Sequence, residues 1–587
     1  MRDQGGLTTL AASITAATLV LTACAPQQTG GSGGAGGLGD CAENPNTCNS
    51  GERADGGSIT WIVDSLPGAW STLSPEGGSV YTIQTLHGIL PHTGVWEPDG
   101  ATFTHNTDLL AEEPRVISED PFTYRFTIRP EAVWDDGTPI SAADFEITWK
   151  LGTTKAAGVC EGCQPRSDDY DRIADVEGGD GGSTVTVTLR DGEADPEWMG
   201  KFGADDIAGG IYPAHVAEEQ GFDTSTPEGV GEYFRWLNTT MPTFSGGPYR
   251  LVEGDLENQV IKEPNPAWYG GTAPTLDTVV IRFLTDESTW ISALDNGEAH
   301  GTSPVAFGQD TVEQARQRPG LDVSITDGPS WEHVDLNLDN EWLKDVELRR
   351  AIFTAIDVAD IAQRTVAQLH PEVEPRTNHV FSNGSPYHTD VITATGQGSG
   401  DTEAARRILL DAGYAYEGET LTLDGEEVGP FRLRSTSNTV RDTSLELIQS
   451  YLAEIGITAT IEPTDDLGAT LAGQDYDIMQ YGWSSTPFFV TAPSQYWSST
   501  SDSNFGRYAD EEVDELADLT QNAVSLDEAA EYANRAAQLV AEDAYVLPLF
   551  DMPVYILVSD DYVNVRDNPS SSLRGLYQHH EWGLAAR

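Results

Sequence analysis

From Ser58 to Val558 the sequence switches repeatedly between two hydrophobic periodicities, each of which leaves an apolar face that another element must cover. Ser58–Val63 (SITWIV), Thr123–Arg129 (TYRFTIR), Ser183–Arg190 (STVTVTLR), Thr278–Phe283 (TVVIRF), Phe431–Arg434 and Asp477–Tyr481 read as strands, and Val546–Val558 as a longer one. Helical spacing fills the gaps. It runs over Ser288–Asn296, stopped by Gly297, and over Val346–Gln368, with Leu348, Ile352, Ile356 and Ile361 on one face. It returns over Thr402–Ala412, over Thr443–Glu454, stopped by Gly456, and as two acidic-faced helices within Val513–Ala541. Strands interleaved with helices predict an α/β architecture with more than one sheet. A chain of 587 residues is also longer than one core usually serves. No tandem repeat is present.

Charge narrows the function. Asp plus Glu number 94 against 32 Lys plus Arg, a formal charge of −62. Phosphate neutralisation needs clustered cations, so nucleic-acid binding is excluded as the main activity, and the same charge argues against docking on anionic lipid through the protein surface. The only lysines are Lys150, Lys155, Lys201, Lys262 and Lys344. Such a surface suits high salt or an extracellular medium.

The N-terminus points outward as well. Residues 7–21 (LTTLAASITAATLVL) form an apolar run of signal-peptide length, too short to span a bilayer. Leu21-Thr22-Ala23-Cys24 resembles the bacterial lipobox, in which small residues fit the signal peptidase and the Cys thiol receives diacylglycerol. The usual positive n-region is weak, because Asp3 offsets Arg2. An ordinary secretory signal with a chance Cys is the alternative. Residues 1–23 are read as a lipoprotein signal peptide. Residues 24–57 are read as a lipidated tether, Gly/Ser-rich over 25–40. No other run of 18 apolar residues exists. The expectation is a monomeric globule held on the outer face of the cell membrane by the lipid on Cys24 alone.

Four cysteines remain, Cys41, Cys48, Cys160 and Cys163, which in an oxidising compartment read as two disulfides with three possible connectivities. Proximity favours Cys41–Cys48 and Cys160–Cys163. The Cys160-Glu-Gly-Cys163 spacing also suits a redox dithiol or half a zinc site, but βαβ context is missing for the first and a second ligand pair for the second.

Thr123–Lys150 (TYRFTIRPEAVWDDGTPISAADFEITWK) resembles the signature of the family 5 extracellular solute-binding proteins, the dipeptide- and oligopeptide-binding components of ABC importers. The resemblance continues through Ser245–Arg250 (SGGPYR), Asn265–Gly271 (NPAWYGG), Ala293–Glu298 (ALDNGE), Leu348–Ala351 with Ala355–Asp357, Ala404–Tyr414 (AARRILLDAGY) and Tyr545–Phe550 (YVLPLF). These segments keep the family's order. Within the signature, Trp134, Phe145 and Trp149 are candidate core anchors, Asp135–Pro139 a turn with Gly137 at positive φ, and Ser141 or Asp144 a helix cap. The resemblance implies a two-lobed periplasmic-binding-protein-like fold (type II, cluster C) with an extra subdomain, which closes over a ligand in its cleft. Lobe 1 would comprise 57–325 plus 553–587, with the subdomain near 85–240, and lobe 2 would comprise 326–552.

In peptide-binding members a Gly-Trp-x-x-Asp segment pairs its Asp with the peptide's α-ammonium. Here the matching stretch is Gly482-Trp483-Ser484-Ser485-Thr486-Pro487-Phe488-Phe489, with Thr486 where the Asp is expected. A hydroxyl accepts a hydrogen bond from an ammonium but supplies no countercharge. The Trp-x-x-Thr-Pro-Phe pattern looks more like an actinobacterial, LpqW-like branch of lipoproteins. Candidate ligand contacts are Trp483, Ser484, Ser485 and Thr486. Trp331 and His333 open lobe 2, Trp70 and Tyr81 follow the first strand, and Ser435, Ser437 and Asn438 follow Phe431–Arg434.

Catalytic signatures are absent: the sequence has no Gly-x-Ser-x-Gly elbow, His-Glu-x-x-His pair or Walker loop. The Gly396–Gly400 run (GQGSG) is read as a linker before an Asp401 cap, not a dinucleotide loop. His579-His580-Glu581 is read as a surface pair and not a metal site, because adjacent side chains diverge. Asp168–Asp171 and Asp175–Asp180 are read as solvated acidic loops that lack calcium-loop spacing. No cofactor or metal is expected. The reading is a non-catalytic receptor that delivers oligopeptides to ABC permease and ATPase subunits. The alternatives are a sugar or metal-chelate ligand, or an envelope-assembly lipoprotein with no transport role.

Overall fold

The computed structural model describes residues 37–42, 44–304, 308–484 and 489–586. Its backbone is one ten-stranded mixed sheet in the order 459–461, 431–434, 478–484, 321–336, 546–559, 301–302, 58–63, 278–283, 259–264 and 249–254. Ser58–Val63 runs parallel to Thr278–Phe283, and Phe431–Arg434 runs parallel to both of its neighbours. Two long antiparallel strands, Leu321–Leu336 and Val546–Ser559, tie one end of this sheet to the other.

That ladder is interrupted where the sequence withholds donors. Register shifts fall between Asp327 and Trp331 and between Glu332 and His333. Proline has no N–H for the ladder, and Pro329, Pro548 and Pro553 occupy these places, with Pro553 opposite Asp327 and Pro548 opposite His333. Gly328 admits the close approach at the first shift. A Cβ there would lie 2.5 Å from Val554 Cγ1 and 2.6 Å from the Met552 carbonyl oxygen.

Separate cores flank the two ends. One lies under Ser58–Val63 and Thr278–Phe283 and includes Trp61, Tyr249, Val260 and Trp582. The other packs Val346–Ala355, Val358–Thr365 and Thr439–Glu454 on Phe431–Arg434 and the inner half of the long strands. A third core fills the four-stranded sheet 115–119, 122–127, 184–189 and 173–179, across which lies the helix Ala142–Leu151. Trp134, Phe145 and Trp149 are buried there. Ser141 and Asp144 act together as a capping box, and Gly137 has φ +88.

The strands expected from alternation match their bounds within one or two residues, except that Ile478–Ser484 extends three residues beyond Tyr481, and Asp175–Gly179, expected as an acidic loop, lies instead in the strand Ile173–Gly179, paired to Thr184–Leu189. The helices need two corrections. The expected helix over Val346–Gln368 is two helices, because Ile356 is extended and the Asp357 carboxylate accepts from Asp360 N–H at 2.9 Å and starts a new one. The helix expected from Thr443 begins at Thr439. Both disulfides, Cys41–Cys48 and Cys160–Cys163, pair as proximity favoured. Asp401 caps Thr402–Asp411 after a linker in which Gly396, Gly398 and Gly400 all have positive φ. His579 is not on the surface as expected. The C-terminal segment folds back, and the His579 ring is buried and stacked on Tyr249 at 4.8 Å. Cys24 and the rest of 1–36 lie outside the described residues. No described helix is long and apolar enough to cross a membrane.

Candidate functional site

The site is built where the two long strands cross between the sheet's ends. Trp331 pairs with Trp483 and His333 with Tyr481, so alternation puts all four rings on one face of the sheet. The centroid separations are 4.7 Å for Trp331–His333, 4.2 Å for His333–Tyr481 and 5.6 Å for Tyr481–Trp483. Trp331 and His333 are buried and form the floor of this slab, while Trp483 is half-buried at its edge, stacked on Tyr496 at 4.5 Å. Asp335 completes the layer. It accepts the Tyr481 hydroxyl at 2.7 Å and lies 3.1 Å from His333 Nδ1.

Arg376 was not anticipated from the sequence. Its guanidinium lies 4.7 Å over the Trp331 ring, donates to the carbonyls of Asn378 (2.8 Å) and Val380 (2.9 Å), and pairs with Asp551. Burial raises the Asp551 carboxyl above its ordinary range, and Arg376 pulls the other way.

Above this pair opens a cavity of ≈ 360 Å³, walled by the 324–329 strand segment, the 98–100 turn, residues 380–385 and Phe489, and closed at one side by the Cys41–Cys48 loop. Its ionisable lining is Asp99, Asp327, Glu372 and Asp567 against His370 and Arg376. Arg376 is committed to Asp551, His370 Nε2 sits 3.1 Å from Asp327, and Asp567 is paired with Arg574 at 2.7 Å. The balance left for a ligand is negative, carried by the exposed Asp99 and Glu372.

Beside this cavity runs a seam where residues 94–105 and 172–197 meet residues 380–381 and 489–522. Trp96 and Phe103, from the short strand pair 94–96 and 103–105, share one apolar cluster with Val380, Phe381, Phe489 and Val490. Val490 N–H donates to Glu197 Oε1 at 3.2 Å, and Arg172 reaches Asn522 Oδ1 at 3.3 Å.

The remaining sequence candidates separate. Trp70 and Tyr81 are half-buried against the Ser58–Val63 core, and burial together with Asp64 raises the Tyr81 hydroxyl pKa. Ser437 and Asn438 are exposed and serve the helix that follows. Ser437 Oγ donates to Asp442 at 2.8 Å, and Asn438 Oδ1 accepts from Arg441 N–H at 2.9 Å. Arg441 in turn binds Glu332 at 2.7 Å, and Glu332 points to the face opposite Trp331 and His333. Ser435 is buried. Ser485 and Thr486 lie outside the described residues, and Ser484 is placed only by its pairing with Ser330.

Residues 107–505 match the model of the bacterial extracellular solute-binding proteins, family 5 Middle. The chain is 27% identical over 525 residues to the oligopeptide-binding protein OppA of Mycobacterium tuberculosis, covering 87% of this chain and 82% of that protein. It is 24% identical over 301 residues, 51% of this chain and 43% of that protein, to the probable monoacyl phosphatidylinositol tetramannoside-binding protein LpqW of the same organism. Among solved structures, the periplasmic EDTA-binding protein EppA superposes with a TM-score of 0.80 at 30% identity, over 92% of this chain and 99% of that one.

Proposed function

The chain belongs to the bacterial extracellular solute-binding proteins of family 5, with their two-lobed α/β fold, and from that premise we propose that it is the receptor of an ABC importer that captures oligopeptides. The observation that carries this reading is the likeness to OppA across 87% of the chain. In this proposal the lobes are 57–325 with 553–587 and 326–552, and the proline-interrupted ladder at 327–331 and 551–553 is the hinge between them. The ligand lies against Trp483 and the backbone and hydroxyls of Ser484, Ser485 and Thr486, with Trp331 and His333 as the packed support beneath. Backbone-type hydrogen bonds and stacking hold a peptide with broad tolerance of its side chains. Asp99 and Glu372 at the cavity rim suit a cationic end. The receptor is tethered by lipid on Cys24, acts as a monomer without catalysis, and hands its ligand to permease and ATPase subunits.

A second reading is favoured by EppA, whose name assigns it a polyanionic chelator. In that reading a metal chelate replaces the peptide. The acidic rim and the committed Arg376 weigh against a multiply negative ligand.

Mass spectrometry of whatever co-purifies with the soluble form cut after Cys24, produced in a native-like host, tests the proposal. Peptides of a defined length range are the expected result. A chelate, sugar or glycolipid in their place refutes the peptide assignment.

A further inference from the structure

Around the short helix Trp198–Gly200 several buried carboxylates gather about Lys201, the cation that acts on Glu197, while Arg166 faces Asp206 at the far side. Asp195, Glu197 and Lys201 are each no more than 6% exposed. Lys201 Nζ pairs with Asp169, from the Asp169–Arg172 turn, and with Asp195 at 3.2 Å. Asp206 and Tyr124 stand behind them in the same network. Burial disfavours the Lys201 ammonium, but Asp169, Asp195 and Asp206 outweigh that and hold its pKa well above the ordinary value. Glu197 is the carboxyl left over. The bond it receives comes across the seam, from Val490 N–H at 3.2 Å, four residues past the Thr486 position. The facing wall presents a backbone N–H and apolar side chains. The neighbouring tie across the seam, from Arg172 to Asn522 Oδ1, uses a neutral acceptor, and Arg172 keeps its own partner Glu193 at 2.9 Å.

We propose that Glu197 is a proton-carrying latch, which takes a proton from solvent as the lobes close and returns it as they part. The inference rests on the hinged-receptor reading given above. In the parted form the carboxyl meets water and ionises as an ordinary Glu does. In the closed form burial comes first and Asp195 second, and together they outweigh Lys201 and the Val490 bond and raise the carboxyl from 4.5 to about 8. The closed state therefore holds one more proton than the open state between those values. The closing equilibrium weakens about tenfold for each pH unit across that window and is flat on either side of it. Closure is strongest in acid, and ligand release is favoured as the medium turns neutral.

The experiment compares the wild-type mature chain with E197Q, which keeps the hydrogen-bonding shape but has no proton to exchange. Affinity for a pentapeptide library is measured at pH 5.5 and 7.5, and compactness is followed by small-angle scattering without ligand. The expected result is a roughly hundredfold loss of wild-type affinity between the two pH values and less than a threefold change in E197Q. An infrared difference between the two proteins at pH 6.5 is expected to show one protonated-carboxyl band, a readout that uses the wild type's own signal. If no peptide binds, a wild type that is compact at pH 5.5 and expanded at 7.5, beside a pH-insensitive E197Q, upholds the latch while refuting the peptide assignment. Equal pH dependence in the two proteins, pH-invariant wild-type compactness, or no protonated-carboxyl band overturns it.

Discussion

Lys262 offers a test of the lobe 1 core that is independent of any ligand. Its ammonium is fully buried in the strand Gln259–Pro264, and its Nζ donates to the His87 carbonyl at 2.8 Å. Burial alone lowers its pKa from 10.5 to about 7. The unfolded chain therefore binds more protons than the folded one between those values, so stability rises with pH across that window. The full shift is worth about 5 kcal/mol, of which about 3 kcal/mol is recovered between pH 7 and 9.5. Lys262→Met removes the titration. It leaves the His87 carbonyl without its donor, a loss of about 1–3 kcal/mol, so the variant is expected to be more stable than wild type at pH 6–7 by the remaining few kcal/mol. Guanidinium denaturation followed by tryptophan fluorescence from pH 6 to 9.5 measures this, below the range in which the buried tyrosines ionise. The expected result is a rising wild-type curve and a variant curve flatter by about 3 kcal/mol, the two converging at the alkaline end. Parallel curves, or a variant less stable than wild type at pH 6, refute the account of an uncompensated buried ammonium.

Further outcomes follow from the same buried chemistry. Burial lowers the His92 pKa from 6.5 to about 4, and lowers His87 and His579 in the same direction, so stability present at neutral pH is lost as pH falls from 6.5 towards 4. Urea melts of H92Q are expected to be shallower in that window by about 3 kcal/mol. Arg376→Met strands the Asp551 carboxyl in the core and is expected to destabilise by about 3–5 kcal/mol in urea, whereas the double change with Asp551→Leu recovers most of it. If Thr486 replaces the amine-binding carboxylate, N-acetylation of a bound peptide lowers its affinity less than about tenfold in calorimetry, and abolition of binding refutes that reading.

The fold was legible because its elements carry local signals. SITWIV and TVVIRF are strands with the bounds that alternation indicates, and they pair side by side although more than two hundred residues separate them. Trp134, Phe145 and Trp149 read as core anchors, and all three are buried. The one long helix that proved to be two failed for a local reason as well. Ile356 and Ile361 keep the apolar face across the break, and the periodicity hides the cap that Asp357 supplies between them. Chain-distant facts were not legible. His579 sits in a strongly polar HHE run and is buried only because the tail returns to Tyr249, 330 residues earlier in the chain.

The site was harder to read, because the residue types that bind ligands also terminate helices and fill cores. Ser437 and Asn438 after a strand suit a pocket wall, but the same side chains suit an N-cap, and the helix starting at Thr439 uses them for that. Aromatic spacing did bring Trp331, His333 and Trp483 together, since residues two apart on paired strands must share a face. Whether each touches a ligand depends on depth, which alternation does not encode, and two of the three lie at the bottom. Arg376 and Glu197 had no sequence signal because each is defined by a partner far along the chain, Asp551 at a separation of 175 residues and Val490 at 293. A lone Arg or Glu in a chain of net charge −62 is unremarkable until folding removes its water. Arg376 then has a carboxylate beside it and becomes part of the core, whereas burial first and the neighbouring Asp195 second push the Glu197 carboxyl up. That difference separates a structural ion pair from a group able to couple closure to pH.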